Sequence, residues 1–399
     1  MSFSHCPPPQ STSDCPACSP LWRDADVSSL LEMLRSVEDP RRAKGRQHAL
    51  VFVLAVSVVA VLAGAKGYSE IARQARDMSQ SLLEKIGAEW DWFRLRYKYP
   101  SKGTICRVLS GINGDRMDEI SGSWLASQSP KGRNGDWKIA VDGKVLRGSW
   151  TDENEQVTLF SAMIHEEGIT IAQLRVPDGT NETTQAGALL DVLPIPGDES
   201  ALFTLDAAHT SSETADAITR RAGWHYLMTV KGNRPTLQRA VFDAVIPFLK
   251  GAPHDVMEEY ARGQRKRWSL WAAPADEISF PGAAQAAVII RETFTPSGDR
   301  IGKEMSLMLT SQDVGNMAPS ALNRHKRLHW GIENKSHYPR DVVYREDNGQ
   351  AWAGEGPQVL ATIRNLCIGL MRIKGIKNIK ENTEWIAGDR NRALNFMTT

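Results

Sequence analysis

The stretch WKIAVDGKVLRG (137–148) decides how the chain is read, because an aspartate closes a segment that alternates as a strand does. Outward from it, VTLFSAMIH (157–165) and GITIAQLRV (168–176) read as two more strands, joined by a turn at Glu166, Glu167 and Gly168. NETTQAGALLDVL (181–193) then reads as a helix and SALFTLDA (200–207) as a strand. SSETADAITRRAG (211–223) is a helix with Gly223 as its stop, and WHYLMTVKG (224–232) a fifth strand. PTLQRAVFDAVIPFLKG (235–251) follows as a helix with Pro235 in its first turn.

Three consecutive strands, then helix, strand, helix, strand, helix, is the order of an α/β sheet. The first three strands form an antiparallel meander, and the later two return through right-handed crossovers to run parallel to the first. Pairing of the fourth strand with the first gives the order 3-2-1-4-5, the layout of a ribonuclease H-like fold. Beyond Gly251 the pattern breaks. YARGQRKRWSLWAA (260–273), QAAVIIRETF (285–294) and EMSLMLTS (304–311) read as strands of a β-rich insertion at about 252–315. The helical pattern resumes near Pro319 and includes QVLATIRNLCIGLMRI (358–373), so this unit spans 137–375 and leaves 376–399 as a C-terminal tail.

Upstream, residues 26–126 read as a helical domain, and the polar, Gly/Pro/Ser-rich 127–136 as its linker. ALVFVLAVSVVAVLAGA (49–65) carries no charge, but its 17 residues sit at the short limit for a bilayer span and lead into the amphipathic KGYSEIARQARDM (66–78). It is expected to be a buried central helix, with no membrane contact. Residues 1–25 read as a disordered tail. Cys6, Cys15 and Cys18 in it have a loose zinc-like spacing, but the Pro/Ser-rich surroundings favour disorder. Five cysteines without a disulfide framework suit a reducing cytoplasm.

A net charge of +1 excludes a globally basic protein, so any nucleic-acid contact must be local. Three basic clusters qualify: PRRAKGRQH (40–48) with Arg41, Arg42 and Lys44, RGQRKRW (262–268) with Arg265, Lys266 and Arg267, and NRHKRLH (323–329). Each could equally be a solvated face.

The chemistry follows from the sheet. Asp142 ends the first strand and Asp206 the fourth, and in the order 3-2-1-4-5 these strands are parallel neighbours about 4.8 Å apart. Their carboxyl ends meet at the topological switch point, where open α/β sheets bind ligands. Two carboxylates that close repel unless a cation lies between them, and oxygen donors suit Mg²⁺ or Mn²⁺. A two-ion site needs a third carboxylate. Glu333 is the candidate, on a helical face expected to hold His329, Trp330 and His337. Glu346 and Asp347 follow Pro339, beyond the expected helix, and are weaker candidates.

DGKVLRGS (142–149), LDAAHT (205–210) followed by VKGN (230–233), and HWGIEN (329–334) with DVVYRED (341–347), in this order, resemble the DDE transposases of bacterial insertion sequences. The resemblance is to the group that includes the H-repeat-associated proteins of Rhs elements, and it covers about residues 26–375. DPRRAKGRQH (39–48) and AGAKGYSEIA (63–72) resemble that group's N-terminal associated domain.

The resemblance implies that Asp142, Asp206 and Glu333 bind two Mg²⁺ or Mn²⁺ ions. It implies double-stranded DNA, as transposon ends and target, for a partner, and a homodimer or higher oligomer at a synapse. A cytoplasmic, nucleoid-associated place follows. Lys144 and Arg147 after the first aspartate, and Lys231 and Asn233 after the fifth strand, could hold DNA phosphates. Trp330 could stack on a displaced base or pack in the core. Arg340 departs from a position more often apolar in the group, yet lies seven residues after Glu333, where related transposases carry a basic residue. It is a further phosphate-contact candidate. His209 has no assigned role, because the residues around DAAHT differ from the group's pattern. Alternatives are a non-transposing nuclease or domesticated recombinase on the same fold, or a silent DNA-binding repressor. The presence of all three acids argues against the last.

Overall fold

The computed structural model of the protein describes residues 24–135, 137–149, 156–261, 263–349 and 354–397. The expected N-terminal tail and its Cys6, Cys15 and Cys18 lie outside the described residues, apart from the tail's last two positions. Helix α1 (Asp24–Arg35) precedes α2 (Leu50–Leu62), in which every residue except Val51 is buried. Thirteen residues rise about 20 Å, well short of a bilayer's hydrocarbon. Among the described residues no helix is long and apolar enough to cross a membrane. Helices α3 (Tyr68–Arg76) and α4 (Gln80–Lys85) follow. Gly87 takes a left-handed conformation (φ 92°) that ends α4. A small hairpin follows, β1 (Trp90–Asp91) with β2 (Arg96–Tyr97). Helices α5 (Lys102–Leu109), α6 (Gly114–Gln128) and α7 (Pro130–Arg133) complete this part. Ser79, Ser101, Asn113 and Ser129 cap α4 to α7 through side-chain oxygens that accept otherwise unpaired helical N–H groups.

The sheet begins with β3 (Trp137–Val145), β4 (Thr158–Ile164) and β5 (Ile169–Val176). A 3₁₀ turn (Glu182–Gln185) and α8 (Ala186–Asp191) lead to β6 (Ala201–Leu205). Helix α9 (Ser212–Thr219), β7 (Trp224–Val230) and α10 (Pro235–Val245) follow. The order β5-β4-β3-β6-β7, with β3, β6 and β7 parallel, is the expected 3-2-1-4-5. The segment read as a β-rich insertion at about 252–315 forms four strands that continue the same sheet. Its strands are β8 (Asp255–Ala261), β9 (Gln264–Pro274), β10 (Gln285–Phe294) and β11 (Arg300–Thr310). Leu307–Thr310 of β11 pair antiparallel with Leu227–Val230 of β7, giving a mixed sheet of nine strands. The expected single strand 260–273 is part of a hairpin folded at Gly263, whose φ of 70° suits a turn and not a strand.

Helix α11 (Pro319–His329) opens into wider, π-helical turns over Glu333–His337 and Pro339–Val343. Pro339 therefore does not end the helical path. Its own carbonyl accepts from Tyr344 N–H, five residues on, at 3.2 Å. Helix α12 (Gly356–Ile373) is buried along nearly its whole length and packs on α2, α6 and β5. The expected C-terminal tail is folded as α13 (Ile379–Gly388), a 3₁₀ turn and α14 (Leu394–Met397). Ile386, Leu394, Phe396 and Met397 are buried in the core shared with α1 and α2. Nor does the polar stretch 127–136 separate two bodies. Helix α6 runs into it and lies so close on β5 that a Cβ at Gly122 would collide with the Ile171 carbonyl.

Glu346 is buried between Arg340 and Arg364, with N···O distances of 2.8 and 2.7 Å. Arg340 is 0% exposed, so the expected phosphate contact is corrected: its guanidinium is committed to Glu346. Burial alone would raise the Glu346 carboxyl, but the Arg340, Arg364 and Lys144 charges hold it down at about 2. Glu346→Gln is expected to lower unfolding stability by about 3–5 kcal/mol, because it leaves two buried guanidiniums short of a counter-charge. With the folded value below the ordinary 4.5, the wild-type contribution is complete above about pH 4.5 and lost as pH falls towards 2. Urea unfolding of both proteins across that window should show the gap closing with acid. A gap independent of pH would refute this account of the pair.

Candidate active site

The register of β3 against β6 pairs Val141 with Leu205, so Asp142 and Asp206 occupy the next equivalent step of two adjacent parallel strands. Asp206 folds its own turn, its carboxylate accepting from the N–H groups of Ala208 (2.9 Å) and His209 (3.3 Å). Helix α11 packs across β3, β6 and β7, and the wide turns follow directly from it. His337 Nδ1 lies 3.7 Å from Asp142 Oδ2. Partial burial, then the negative charges of Asp142 and Asp206, raise the Glu333 carboxyl above its usual range. The three acids therefore sit within electrostatic reach of one another.

Two residues outside the sequence-derived set belong to this cluster. Glu182, which opens the 3₁₀ turn after β5, reaches across Gly143, where any Cβ would collide with its carboxylate. The buried His209 places Nε2 3.7 Å from Asp142, 3.7 Å from Asp206 and 3.8 Å from Glu182. Burial disfavours a charged imidazole, but these three carboxylates outweigh it and raise His209 above its ordinary value. In turn Asp142, which burial would raise, is lowered by His209 and the neighbouring histidines. Glu182 is raised, first by burial and then by Asp142 and Asp206 despite His209. A sequence signal existed: a side-chain-free position directly after Asp142 leaves space for a crossing residue.

Beneath the acids, the Thr204 hydroxyl joins His165 Nε2 (2.7 Å) and His329 Nδ1 (3.0 Å). Burial, then Lys326, lowers His329 to about 4, so it is neutral. Burial and Lys326's neighbour Lys231 bring Lys326 down to about 8, against the pull of Asp206 and Glu333. Its Nζ donates to Thr229 Oγ1 at 2.7 Å.

The acids of the cluster offer carboxylate oxygens, which suit a hard divalent cation, and the imidazoles of His209 and His337 stand beside them. Among the described residues no group of three or more His, Cys, Asp or Glu side chains is already arranged to hold a metal ion.

The expected DNA contacts divide. Lys144 is corrected: it is buried and its Nζ is bound to Asp341 at 2.6 Å. Arg147 and Lys231 are exposed, while Asn233 donates to the Ala207 carbonyl at 2.7 Å and ties the β7 turn to that of β6. Trp330 is 54% exposed, so core packing is not its use. Arg41 is held by Asp39 and the His48 carbonyl, whereas Arg42 and Lys44 are exposed. The insertion's basic run is partly offset. Arg265 pairs with Glu258 and covers Phe294, and Lys266 and Arg267 lie opposite Glu259 and Glu258 in register.

The family described as "Transposase DDE domain" matches residues 133–367. The chain belongs to the DDE transposase family. A second match, "DDE_Tnp_1-associated", covers residues 31–125. The chain is 26% identical over 363 residues to the "H repeat-associated putative transposase YhhI" of Escherichia coli K12, covering 87% of this chain and 91% of that protein. YbfL of the same strain is 26% identical over 361 residues, with the same coverage. Among solved structures, the piggyBac transposase synaptic complex with hairpin DNA aligns over 94% of this chain and 78% of its own, at 10% identity and a TM-score of 0.40.

His209 is expected to hold the carboxylate cluster together as an internal counter-charge. His209→Ala should lower the melting temperature in EDTA, and Mg²⁺ should recover part of that loss while shifting wild type less. A loss unaffected by Mg²⁺ would mean His209 acts only through packing.

Proposed function

We propose that this DDE-family protein is a transposase that binds transposon ends and catalyses metal-dependent strand cleavage and strand transfer, on a ribonuclease H-like sheet. The observation that carries this reading is the register of β3 and β6, which sets Asp142 and Asp206 at the next equivalent step of adjacent parallel strands, with Glu333 feeling both their charges. Asp142, Asp206 and Glu333 are the residues that would hold two divalent cations. When bound, such ions lower the barrier to in-line attack on a phosphodiester. His209 and Glu182 keep the first two acids oriented. Lys326 and Lys231 supply positive charge next to Asp206 and Glu333, where a DNA phosphate would enter. The exposed Trp330, beside Glu333 in sequence, offers a ring face to a base. Arg42, Lys44 and Arg147 are assigned to the DNA backbone, with Arg265, Lys266 and Arg267 in a smaller part because acids face them. Double-stranded DNA is the partner, and two or more copies form the synapse.

The test is incubation of the protein with DNA carrying the element's ends and Mg²⁺. Asp142→Asn, Asp206→Asn and Glu333→Gln should each cut cleavage about a thousandfold or more, ~4 kcal/mol of transition-state stabilisation. Double variants should be hardly worse, since the acids act as a unit. The exposed Glu384→Gln is the control and should match wild type. A Glu333→Gln protein that cleaves near the wild-type rate would remove Glu333 from the site.

A further inference from the structure

The hairpin β1–β2 ends in a tip that packing does not explain. Trp92 is 80% exposed, Phe93 100% and Leu95 72%. Leu95 also holds φ at 49°, a left-handed conformation costly for a branched residue without compensation. The tip is nonetheless well held. Asp91 Oδ1 accepts from the N–H groups of Phe93 (3.0 Å) and Arg94 (3.1 Å). Trp90 lies edge-on to Tyr97 at 4.9 Å, and Tyr97 is fastened to α4 through Gln80 (2.6 Å) and Glu84 (2.5 Å). A rigid turn that presents three large apolar side chains to water is a surface built for contact.

The charge around it identifies the contact. A cleft of about 540 Å³ at the hairpin is lined by Arg46, Arg94, Arg96 and Lys98, against the acids Glu89 and Asp91. Arg46 belongs to the basic loop 40–48, whose Arg42 and Lys44 are also exposed. Asp91 caps the turn and lies 3.9 Å from Arg94, Glu89 pairs with Lys98 at 3.1 Å and Asp39 with Arg46 at 3.4 Å, so four cations face three acids and the cleft keeps a positive balance. An apolar tip flanked by cations complements a polyanion with a stacked apolar interior. An uncharged protein surface would match the tip but not the arginines.

We propose that this hairpin is a wedge that inserts Trp92 and Phe93 at a base step of duplex DNA, while the arginines of the adjoining cleft hold the flanking phosphates. The proposal rests on the reading of the chain as a DNA-acting protein and adds a second point of engagement, built by a different part of the chain from the carboxylate site.

The test uses the full chain, a mixed-sequence duplex and the same duplex carrying a two-base bulge, with binding read by fluorescence anisotropy across a salt series. A bulge has already met the unstacking cost, so wild type should prefer it by about tenfold. A Trp92→Ala/Phe93→Ala variant should bind the intact duplex about tenfold or more weakly, the loss expected for removed stacking, and should lose the preference. Its salt dependence should match wild type, whereas Arg42→Glu/Lys44→Glu should flatten it. Both side chains are exposed, so the variant's thermal melt should match wild type. 2-Aminopurine in the intact duplex should brighten with wild type and not with the variant. Equal affinities with no bulge preference would overturn the wedge alone. So would unchanged DNA binding together with a dimer, seen by sedimentation, that the variant dissolves, because the tip would then contact a second copy. A wild type that retains neither duplex would overturn the DNA reading as well.

Discussion

The buried carboxylate of Glu346, held by Arg340 on one side and Arg364 on the other, fixes the relation of the site to the rest of the molecule. Removing three charges from water is costly, and only close pairing offsets it. The pairing also sets positions. Arg340 lies in the wide-turn segment after Glu333, Arg364 in α12, and Arg364 also donates to the Lys66 carbonyl at the entrance to α3. Gln173 of β5 touches Arg340 and Asn365, and its amide reaches Asp118 of α6, which accepts from Gln358 and Thr362 of α12. A polar seam thus runs between the helical part and the sheet. Buried polar groups have few alternative partners, so such a seam specifies one docking of the two.

With the wide-turn segment anchored at Arg340, Glu333 stays near the strand ends. Lys144 helps from the other side by binding Asp341, which draws the same segment to β3. The result is a concentration of negative charge near the carboxyl ends of β3 and β6, balanced by only a few basic groups. His209, whose charged form these acids favour, is the nearest, equidistant within 0.1 Å from three of them. Lys326 and Lys231 stand at the edge. Such a centre attracts divalent cations and, through the lysines, the phosphates that accompany them.

The extension of the sheet explains the long separation between Asp206 and Glu333. Four strands added beyond β7 are paired into one sheet, so they lengthen the platform without displacing α11 from it. Helix α11 packs on β8 and β9 as well as on β3, β6 and β7, and Arg327 spans the two regions by covering Trp268 and pairing with Glu259.

By itself the sequence determined the strand order, the parallel pairing of the strands next to which Asp142 and Asp206 stand in register, and the burial of the apolar helix, although the first strand runs three residues beyond Asp142 to Val145. These depend on local periodicity and on rules of chain crossing, which a single sequence carries. It also singled out Glu333, through an unusual run of neighbours. Only the tertiary structure decided which charges face solvent. Arg340, Lys144 and Arg41 look like their exposed counterparts in sequence, because only folding sets which acid a basic side chain meets: Asp39 lies two residues from Arg41, Glu346 six from Arg340 and Asp341 197 from Lys144. The role of His209 was illegible because it arises from elements that converge in space, and Gly143 after Asp142 signalled only that some residue crosses there, not that it is Glu182. The fate of Pro339 and of residues 376–397 was likewise tertiary. A wider helical turn, and an apolar face shared with α1 and α2, supplied what local propensity could not.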